Sequence, residues 1–164
     1  MHGQNIGSRR IKMIEAGDSF PKGSLFRSKK DEVDTETYFA NKKVVVFGVP
    51  GAFGGTCSAE HLPGFVNFKT AFADNDYSIV CIAVNDPNVM KAWGESAGAS
   101  GIDMLADCDC SITKALGLDK DLGRNFGVRS KRYAMIIVDG VVKKIFVDES
   151  GFDSTSAENV LNNL

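Results

Sequence analysis

The chain has 164 residues, of which 43% are apolar and 24% charged, the size and composition of one globular domain with its own core. Its 19 basic and 21 acidic side chains give a net charge of -2, without the basic excess that a nucleic-acid backbone requires, so nucleic acid is not an expected partner. No apolar run approaches the roughly 20 residues of a membrane-spanning helix, and four cysteines without a secretory signal are typical of a reducing compartment, so we expect a cytoplasmic protein that does not enter a membrane.

The first ten residues, 1–10, are predicted to be a flexible arm ahead of a single domain over 11–164. The arm is basic through Arg9 and Arg10, so a remnant of a targeting peptide for mitochondria or another organelle is the alternative. Its lack of a clear amphipathic period favours the flexible arm.

The first strong structural signal is a continuously apolar, β-branched stretch over residues 43–49. The absence of alternation is typical of a strand that is covered on both faces. A turn-rich loop follows, and then Leu62, Phe65 and Phe72 recur at helical spacing. The sequence therefore predicts a strand, a glycine-rich loop and a helix in that order.

A second buried strand is predicted at 78–84. Asp86 and Pro87 then suit the N-cap and first turn of a helix that carries Met90 and Trp93. A strand, a helix and a second strand in this order imply a parallel pair with a right-handed crossover.

The second half of the chain begins with a short helix at 111–116, closed by Gly117, because glycine readily adopts the positive φ found just beyond a helix end. Two strands at 133–138 and 141–147 then flank an Asp-Gly dipeptide, which is favoured where both turn residues need positive φ. These two strands are predicted to form an antiparallel hairpin.

A last helix is predicted near the end of the chain, where Thr155 and Glu158 have the spacing of a capping box. One sheet with helices on both faces is the layer arrangement that buries the apolar sides of all these elements. Their order predicts an α/β, thioredoxin-like fold with a central mixed β-sheet, helices on both faces and an N-terminal β extension.

The most informative chemistry lies in the loop after the first predicted strand, which reads Pro50-Gly51-Ala52-Phe53-Gly54-Gly55-Thr56-Cys57. Cys57 comes at the first turn of a helix, where unpaired N–H groups and the helix dipole stabilise an anion and so favour the thiolate. The thiolate is the nucleophilic form of cysteine. The alternative is an inert, buried thiol, since free cysteine is among the most buried residue types. Position alone leaves both interpretations open.

This loop and three later stretches resemble the peroxiredoxins, specifically the atypical type-five or plant type-two group of these redoxin proteins. The resemblance is carried by Pro50-Gly51-Ala52-Phe53-Gly54-Gly55-Thr56-Cys57-Ser58 with His61-Leu62-Pro63-Gly64-Phe65, by residues 78–87 with Met90-Lys91-Ala92-Trp93, by Lys114-Ala115-Leu116-Gly117-Leu118, and by Arg129-Ser130-Lys131-Arg132-Tyr133-Ala134-Met135. These motifs stand in the family's order, and the resemblance extends from about residue 11 to the end of the chain.

The resemblance implies a thiol-dependent peroxidase that reduces H2O2 and alkyl hydroperoxides and serves antioxidant defence and redox homeostasis. Cys57 would attack the peroxide as the thiolate and become a sulfenic acid. Arg132 falls on the family's active-site arginine, which favours the thiolate and orients the peroxide. Pro50 matches the proline that shields the cysteine from water, and His61 matches a common pocket residue. Without the resemblance, Arg132 would be interpreted as a solvated charge and His61 as a structural or solvent-facing side chain.

The loop departs from the family pattern at Gly54, where the family has a threonine whose hydroxyl bonds the thiolate and the peroxide. Gly55 stands where a proline is common, and Thr56 carries a hydroxyl that we expect to point elsewhere. Losing one preorganised donor costs on the order of 10²- to 10³-fold in rate, so we expect a working but slower peroxidase. The alternative function is a slow-turnover thiol redox sensor or a redox-gated binding protein.

The other cysteines bear on how the oxidised enzyme is recycled. Cys81 is expected to be buried and inert in the middle of a strand, although in some relatives a cysteine here is the resolving residue. The stretch 151–157, where certain animal relatives place a late resolving cysteine, contains none. A one-cysteine cycle is therefore expected, with glutathione and glutaredoxin, or thioredoxin, as reductant.

Cys108 and Cys110 form a C-x-C pair outside the family pattern. Zinc needs about four ligands, and the chain has only two histidines, so neither a metal site nor a cofactor is expected. Neighbouring aspartates should raise the pKa of both thiols, which makes loop thiols without a catalytic role the preferred interpretation and a disulfide to Cys57 the alternative. The resemblance also suggests a homodimer.

Overall fold

The computed structural model describes residues 12–164. Its strands are β1 (Ser24–Ser28), β2 (Asp31–Asp34), β3 (Lys43–Gly48), β4 (Ser78–Ala83), β5 (Ile102–Ala106), β6 (Asp119–Asp121), β7 (Val128–Ser130), β8 (Arg132–Val138) and β9 (Val141–Asp148). Its α-helices are α1 (Thr35–Phe39), α2 (Leu62–Asp74), α3 (Pro87–Ser96), α4 (Ser111–Leu116) and α5 (Ala157–Leu161), and a π-helical turn (Cys57–His61) precedes α2. The predicted arm at 1–10 lies outside the described residues.

Seven strands form one mixed sheet in the order β2-β1-β5-β4-β3-β8-β9, and β6 and β7 form a separate antiparallel pair. The strands β3, β4 and β5 run parallel, whereas the two outer pairs on each side are antiparallel. The hairpin of β1 and β2 is the predicted N-terminal β extension. The predicted mixed sheet is confirmed.

The apolar run of β3 is buried on both faces of the sheet because its side chains alternate between two hydrophobic cores. Val45 and Phe47 pack into one core with side chains of α2, α3 and α5. Val44 and Val46 pack into the other with side chains of α1 and α4. Helices therefore cover both faces, as predicted.

The local signals for two turns are also confirmed. The Asp86 side chain accepts a hydrogen bond from the Val89 N–H at 2.9 Å and so caps α3. Between β8 and β9, Asp139 and Gly140 have φ of 49° and 76°, the positive values that the Asp-Gly dipeptide favours.

The predicted capping box of the last helix is wrong. The N-cap of α5 is Ser156, whose side chain accepts from the Asn159 N–H at 3.2 Å. The Thr155 hydroxyl instead donates to the Asp148 carboxylate at 2.7 Å. A long-range bond to a carboxylate takes the hydroxyl that the local motif requires.

Several elements carry too weak a pattern to be predicted. The parallel strand β5 reads Ile-Asp-Met-Leu-Ala and lacks a β-branched run, while β6 is composed of charged residues only. Both are strands because of their neighbours, since β5 pairs with β4 over five positions and β6 with β7 over three.

A close approach at the end of β3 joins it to β8. Gly48 pairs with Tyr133, and a Cβ atom added at Gly48 would lie 2.0 Å from the Tyr133 ring. Only glycine leaves room for this fully buried ring. Because β8 is antiparallel to β3, the first residue of β8 lies at the edge of the sheet where β3 ends.

Within residues 12–164, the helices all fall short of the length and apolarity that crossing a bilayer would need.

Candidate active site

Cys57 lies where the chain turns from the loop after β3 into a helix, as the sequence predicts. It is 3% exposed and begins the π-helical turn, in which the Leu62 N–H bonds to the Cys57 carbonyl five residues back. The Ser58 N–H donates to the Gly54 carbonyl at 2.8 Å, which fixes the loop on the preceding side. The sulfur is thus held in the first helical turn.

Arg132 is the first residue of β8 and reaches Cys57 across the antiparallel pairing of β8 with β3. Its side chain is 8% exposed, and Nη2 donates to Cys57 Sγ at 3.3 Å. A guanidinium that donates to sulfur stabilises the thiolate relative to the neutral thiol. Seventy-five positions separate the two residues, so the contact depends on the fold rather than on a local motif.

His61 is fully buried and connects Arg132 to the backbone beyond the hairpin. Its Nε2 lies 3.0 Å from the Thr155 carbonyl and its Nδ1 lies 2.9 Å from Arg132 Nη1. Arg132 only donates, so Nδ1 must accept and Nε2 must carry the proton. Burial, and then the charge of Arg132, lower the pKa of His61 to about 3, which keeps the ring neutral. A neutral His61 orients the guanidinium without competing for the thiolate.

Asp148 at the end of β9 fixes the Thr155 backbone that His61 contacts. Its carboxylate accepts from the N–H groups of Asp153, Ser154 and Thr155 at 3.0–3.1 Å and from the hydroxyls of Ser154 and Thr155 at 2.8 and 2.7 Å. Burial opposes ionisation, but these hydrogen bonds prevail and hold the pKa of Asp148 well below its ordinary value. A relay of bonds therefore runs from Asp148 through Thr155 and His61 to Arg132.

The sulfur opens into a pocket of about 270 Å³. It is lined by Pro50, Gly51, Ala52, Gly54, Gly55, Thr56, Cys57, Asn85, Leu122, Phe126, Arg129 and Arg132. All of the predicted site residues line this pocket except His61, which lies behind Arg132, and Cys81, which lies in the core. Predicted site residues that lie far apart in the sequence thus line one pocket.

Gly54 lies beside the sulfur, where a side chain would fit only tightly. A Cβ atom added there would lie 3.4 Å from Cys57 Sγ and 3.1 Å from the Gly51 carbonyl. A side chain at this position would therefore contact the sulfur directly, which fits the role that the resemblance gives to a threonine here.

A larger cavity of about 550 Å³ lies at the opposite, amino-terminal end of β5 and contains none of the predicted site residues. Its charged groups are largely paired with one another, since Arg27 donates to both Asp31 and Asp103 at 2.6–2.8 Å. These ion pairs connect β1 to both β2 and β5, and their role is structural.

The three other cysteines lie in settings that disfavour a thiolate. Cys81 is fully buried, and burial, followed by the nearby Cys57, raises its pKa well above the ordinary value. Burial also raises the pKa of Cys108 and of Cys110. The neighbouring carboxylates raise both pKa values further, and Asp107 contributes more than Asp109. The predicted direction is confirmed, although burial precedes the aspartates as its cause. In residues 12–164, no cluster of three or more His, Cys, Asp or Glu side chains could hold a metal ion.

Some contacts of the site carry no signal in the sequence. Asp148 ends β9 and Phe152 lies in the polar turn after it, yet the Phe152 ring packs against His61 with 5.1 Å between ring centres and lies 6.0 Å from the Arg132 guanidinium carbon. The Trp93 indole donates to Ser58 Oγ at 2.9 Å, and the Asn85 amide accepts from the Ala52 N–H at 2.9 Å. Only the long-range packing of the fold reveals these contacts.

Comparison with known proteins gives consistent results. The model of the Redoxin family matches residues 15–161. The chain is similar to peroxiredoxin-2E-2, chloroplastic, of Oryza sativa subsp. japonica, with 41% identity over 163 residues, covering 92% of this chain and 72% of the relative. It is similar to peroxiredoxin-2B of Arabidopsis thaliana, with 39% identity, covering 90% of this chain and 96% of the relative. Among solved structures, reduced Prx3 of Vibrio vulnificus in complex with H2O2 superposes with a TM-score of 0.90 at 44% identity, covering 93% of this chain and all of that one.

Proposed function

This chain belongs to the peroxiredoxin family and is a peroxidase oxidoreductase, and on that premise we propose that it reduces H2O2 and alkyl hydroperoxides through the thiolate of Cys57. The observation that carries the proposal is the 3.3 Å hydrogen bond from Arg132 Nη2 to Cys57 Sγ at the base of the pocket. A guanidinium, a nearly buried sulfur and an open pocket meet at this point and provide the nucleophile, its stabilisation and room for a peroxide.

The reaction is a two-electron displacement at oxygen. The thiolate of Cys57 attacks the terminal oxygen of the peroxide, a new S–O bond forms and the O–O bond breaks. The sulfur becomes a sulfenic acid, and the departing oxygen takes a proton to leave as water or as an alcohol. Arg132 donates to the sulfur in the resting state and to the oxygens while negative charge moves onto the leaving group.

The remaining pocket residues have supporting roles in this proposal. Pro50 covers one side of the pocket and limits the access of water, while His61 holds the guanidinium in position from behind. Gly54 and Thr56 belong to the wall that the peroxide contacts. The missing hydroxyl at Gly54 makes the predicted enzyme slower than a family member with threonine.

The activity is tested by following peroxide consumption with two reducing systems, glutathione with glutaredoxin and thioredoxin with its reductase. We expect turnover by the native chain with at least one of them and none by Cys57→Ser. Cys81→Ser is the matched control, because it makes the same change at a thiol that is fully buried in the same core. Equal peroxide consumption by native protein and Cys57→Ser would refute the proposal.

We propose a one-cysteine cycle in which an external thiol reduces the sulfenic acid. The burial of Cys81 within β4 supports this, since a disulfide to Cys57 would require the sheet to open locally. Mass spectrometry after one equivalent of H2O2 should find Cys57 as sulfenic acid in the native chain, in Cys81→Ser and in Cys108→Ser. A disulfide from Cys57 that disappears in one of these variants would identify a resolving cysteine instead.

A second candidate function, a slow-turnover redox sensor or redox-gated binding protein, is favoured by one observation, the absence of a hydroxyl at Gly54. The two functions differ in the second-order rate constant of Cys57 oxidation by H2O2. A sensor without tuned geometry reacts little faster than a free thiolate, whereas the Arg132 contact should raise the rate constant by orders of magnitude.

We also propose a homodimer in a reducing compartment. Large apolar side chains are exposed beside the pocket, with Phe53 54%, Phe126 58% and Val128 41% accessible, and a second copy of the chain would bury them. Sedimentation of native protein and Phe126→Asp tests this.

A cytoplasmic location remains the proposal and an organelle its alternative, since the relatives include chloroplastic and mitochondrial proteins.

A further inference from the structure

A second guanidinium, from Arg129, lines the same pocket as Cys57. The side chain is half-buried and is fixed at two points, because Nε donates to the Phe126 carbonyl at 2.9 Å and Nη1 to the Val84 carbonyl at 2.6 Å. Both partners are neutral carbonyls, so the positive charge is oriented but not balanced. Within residues 12–164, Nη2 makes no hydrogen bond, so its two N–H groups are left for water or a ligand.

The charges around the pocket are unequal. Its lining contains two guanidiniums and no carboxylate. The ion pairs of residues 12–164 join Lys12, Lys22, Arg27 and Lys131 to carboxylates and do not include Arg129. Residues 1–11, which the structure does not describe, contain neither Asp nor Glu. Because a thiolate at Cys57 would balance Arg132, the charge of Arg129 remains uncompensated in the resting enzyme.

The pocket is also larger and more apolar than H2O2 requires. Its volume is about 270 Å³, whereas a small hydroxylic molecule such as water occupies roughly 30 Å³ of liquid. Pro50, Ala52, Leu122 and Phe126 provide apolar lining, and a Cβ atom added at Gly55 would meet nothing within 4 Å. An organic group therefore has space and contact surface between Cys57 and Arg129.

We propose that Arg129 forms an anion subsite that selects organic hydroperoxides carrying a carboxylate. The apolar lining holds the hydrocarbon part, Arg129 binds the carboxylate through the free face of its guanidinium, and the O–O group reaches Cys57. This inference rests on the proposed peroxidase function and adds a substrate class to it. The chemical step is unchanged: the S–O bond forms, the O–O bond breaks, and the product is the hydroxy acid.

The subsite is tested with a matched pair of substrates, cumene hydroperoxide and its para-carboxylate. The two share the same tertiary O–O group and differ in one charge. We expect the native chain to oxidise faster with the carboxylate, by about tenfold in the second-order rate constant, as a charge-assisted hydrogen bond from a half-buried guanidinium predicts. Raising the ionic strength should reduce this ratio.

Arg129→Gln should bring the ratio of the two rate constants close to one, whatever happens to either rate constant alone. The matched control is Lys131→Gln, which removes a cation two residues away that pairs with Glu149 and does not line the pocket; it should keep the native ratio. Arg129→Lys keeps the charge and should keep part of the preference. A purely structural Arg129 would slow both peroxides equally in Arg129→Gln and leave the ratio unchanged, and that result would overturn the subsite.

A binding measurement separates the failure of this inference from the failure of the proposed function. Cys57→Ser is expected not to turn over, so calorimetry with this variant can compare 4-isopropylbenzoate with 4-isopropylbenzamide at the same pocket. We expect the carboxylate to bind about tenfold more tightly, and Arg129→Gln in the same background to remove the difference. Equal binding of the two compounds would refute the subsite even if the peroxidase were active, and unequal binding would support it even if turnover were absent.

Discussion

Two cysteine-bearing loops leave the same edge of the sheet but provide opposite surroundings. The loop that ends in Cys57 follows β3, and the loop with Cys108 and Cys110 follows β5, so both lie at the carboxyl ends of parallel strands and lead into helices. Around Cys57 the pocket presents two guanidiniums and no carboxylate. Around the C-x-C pair, carboxylates raise the pKa of both thiols further, beyond the effect of burial.

The helices that follow the two loops also differ in which anion lies at their first turn. Asp107 accepts from the N–H groups of Ile112 and Thr113 at 3.2 and 2.7 Å, so a carboxylate already occupies the first turn of α4. Beside Cys57, the anion that the helix and Arg132 can stabilise is the thiolate itself. The fold places both loops where a reactive cysteine is feasible, and in the proposed function the charged neighbours make Cys57 the reactive one.

Removing the cation from the Cys57 loop should have the largest effect. Arg132→Gln is expected to lower the rate constant of Cys57 oxidation by H2O2 on the order of 10²- to 10³-fold, because the thiolate and the leaving oxygen lose a preorganised donor. Arg132→Lys should recover only part of this loss, since an ammonium cannot contact both His61 and the sulfur in the same planar geometry.

Stopped-flow fluorescence of Trp93, whose indole bonds to Ser58 next to Cys57, provides the measurement. Lys131→Gln is the control, because it removes the adjacent charge without touching the pocket. A decrease of less than threefold in Arg132→Gln would mean that charge does not distinguish the two loops.

Adding a hydroxyl at position 54 should increase the reactivity of Cys57 relative to Cys108 and Cys110. The factor should be smaller than the loss expected for Arg132→Gln. Gly54→Thr is expected to raise the same rate constant about tenfold, because a side chain there begins 3.4 Å from Cys57 Sγ and its hydroxyl can donate to the sulfur or the peroxide. The gain should stay below the roughly 10²- to 10³-fold of a fully preorganised donor, because the new Cβ would lie 3.1 Å from the Gly51 carbonyl, which must shift to admit it. Gly54→Val has the same shape without the donor and should bring no gain. Equal rates for the two variants would show that filling space, and not hydrogen bonding, matters at this position.

The neutral state of His61 predicts how stability depends on pH. Because the folded pKa is lowered to about 3 while an unfolded histidine titrates near 6.5, the unfolded chain binds an extra proton between these values. The free energy of unfolding should therefore fall as the pH decreases below about 6.5, approaching about 1.4 kcal/mol per pH unit near pH 5.

Urea unfolding at pH 7.5, 6 and 5 measures this slope. His61→Asn serves as the comparison, because an amide can also accept from Arg132 and donate to Thr155 but does not titrate. The slope should disappear in this variant above pH 5. The same slope in both proteins would show that His61 is not the origin of the slope and is not held neutral in the folded protein.

Changing the second loop should have the smallest effect. Cys108→Ser is expected to alter the rate constant of Cys57 oxidation by less than twofold, because Cys108 does not line the pocket. Alkylation by iodoacetamide at neutral pH, followed by mass spectrometry, should label Cys57 well before the exposed Cys108. Faster labelling of Cys108 would reverse the order of reactivity that the charges predict.

The sequence was sufficient for the parts of the fold that local chemistry determines. The uninterrupted apolar runs of β3 and β4, the Asp-Gly hairpin turn and the Asp86 cap each predict their element without help from the rest of the chain. The strand β5 could not be predicted, because its pairing with β4 outweighs a composition that is not typical of strands.

The residues of the candidate site also divide into those that the sequence predicts and those that only the fold reveals. Cys57, Pro50, His61 and Arg132 stand in motifs that resemble a known family, so the sequence could name them. Asp148 could not be named, because its role depends on five hydrogen bonds to a turn that follows it and on the contact of that turn with His61. The capping pattern predicts the wrong partner for the Thr155 hydroxyl for the same reason, since a local pattern does not reveal a carboxylate seven residues earlier.

The close fit of Gly48 against the Tyr133 ring limits how this protein can diverge. Any side chain at position 48 would displace a ring that stands next to Arg132, so a change there would disturb the guanidinium as well as the core. Substitutions at the two positions should therefore be coupled. Homologues with a larger residue at position 48 are expected to carry a smaller residue at position 133. Covariation of positions 48 and 133 among homologues would be the evolutionary record of that constraint.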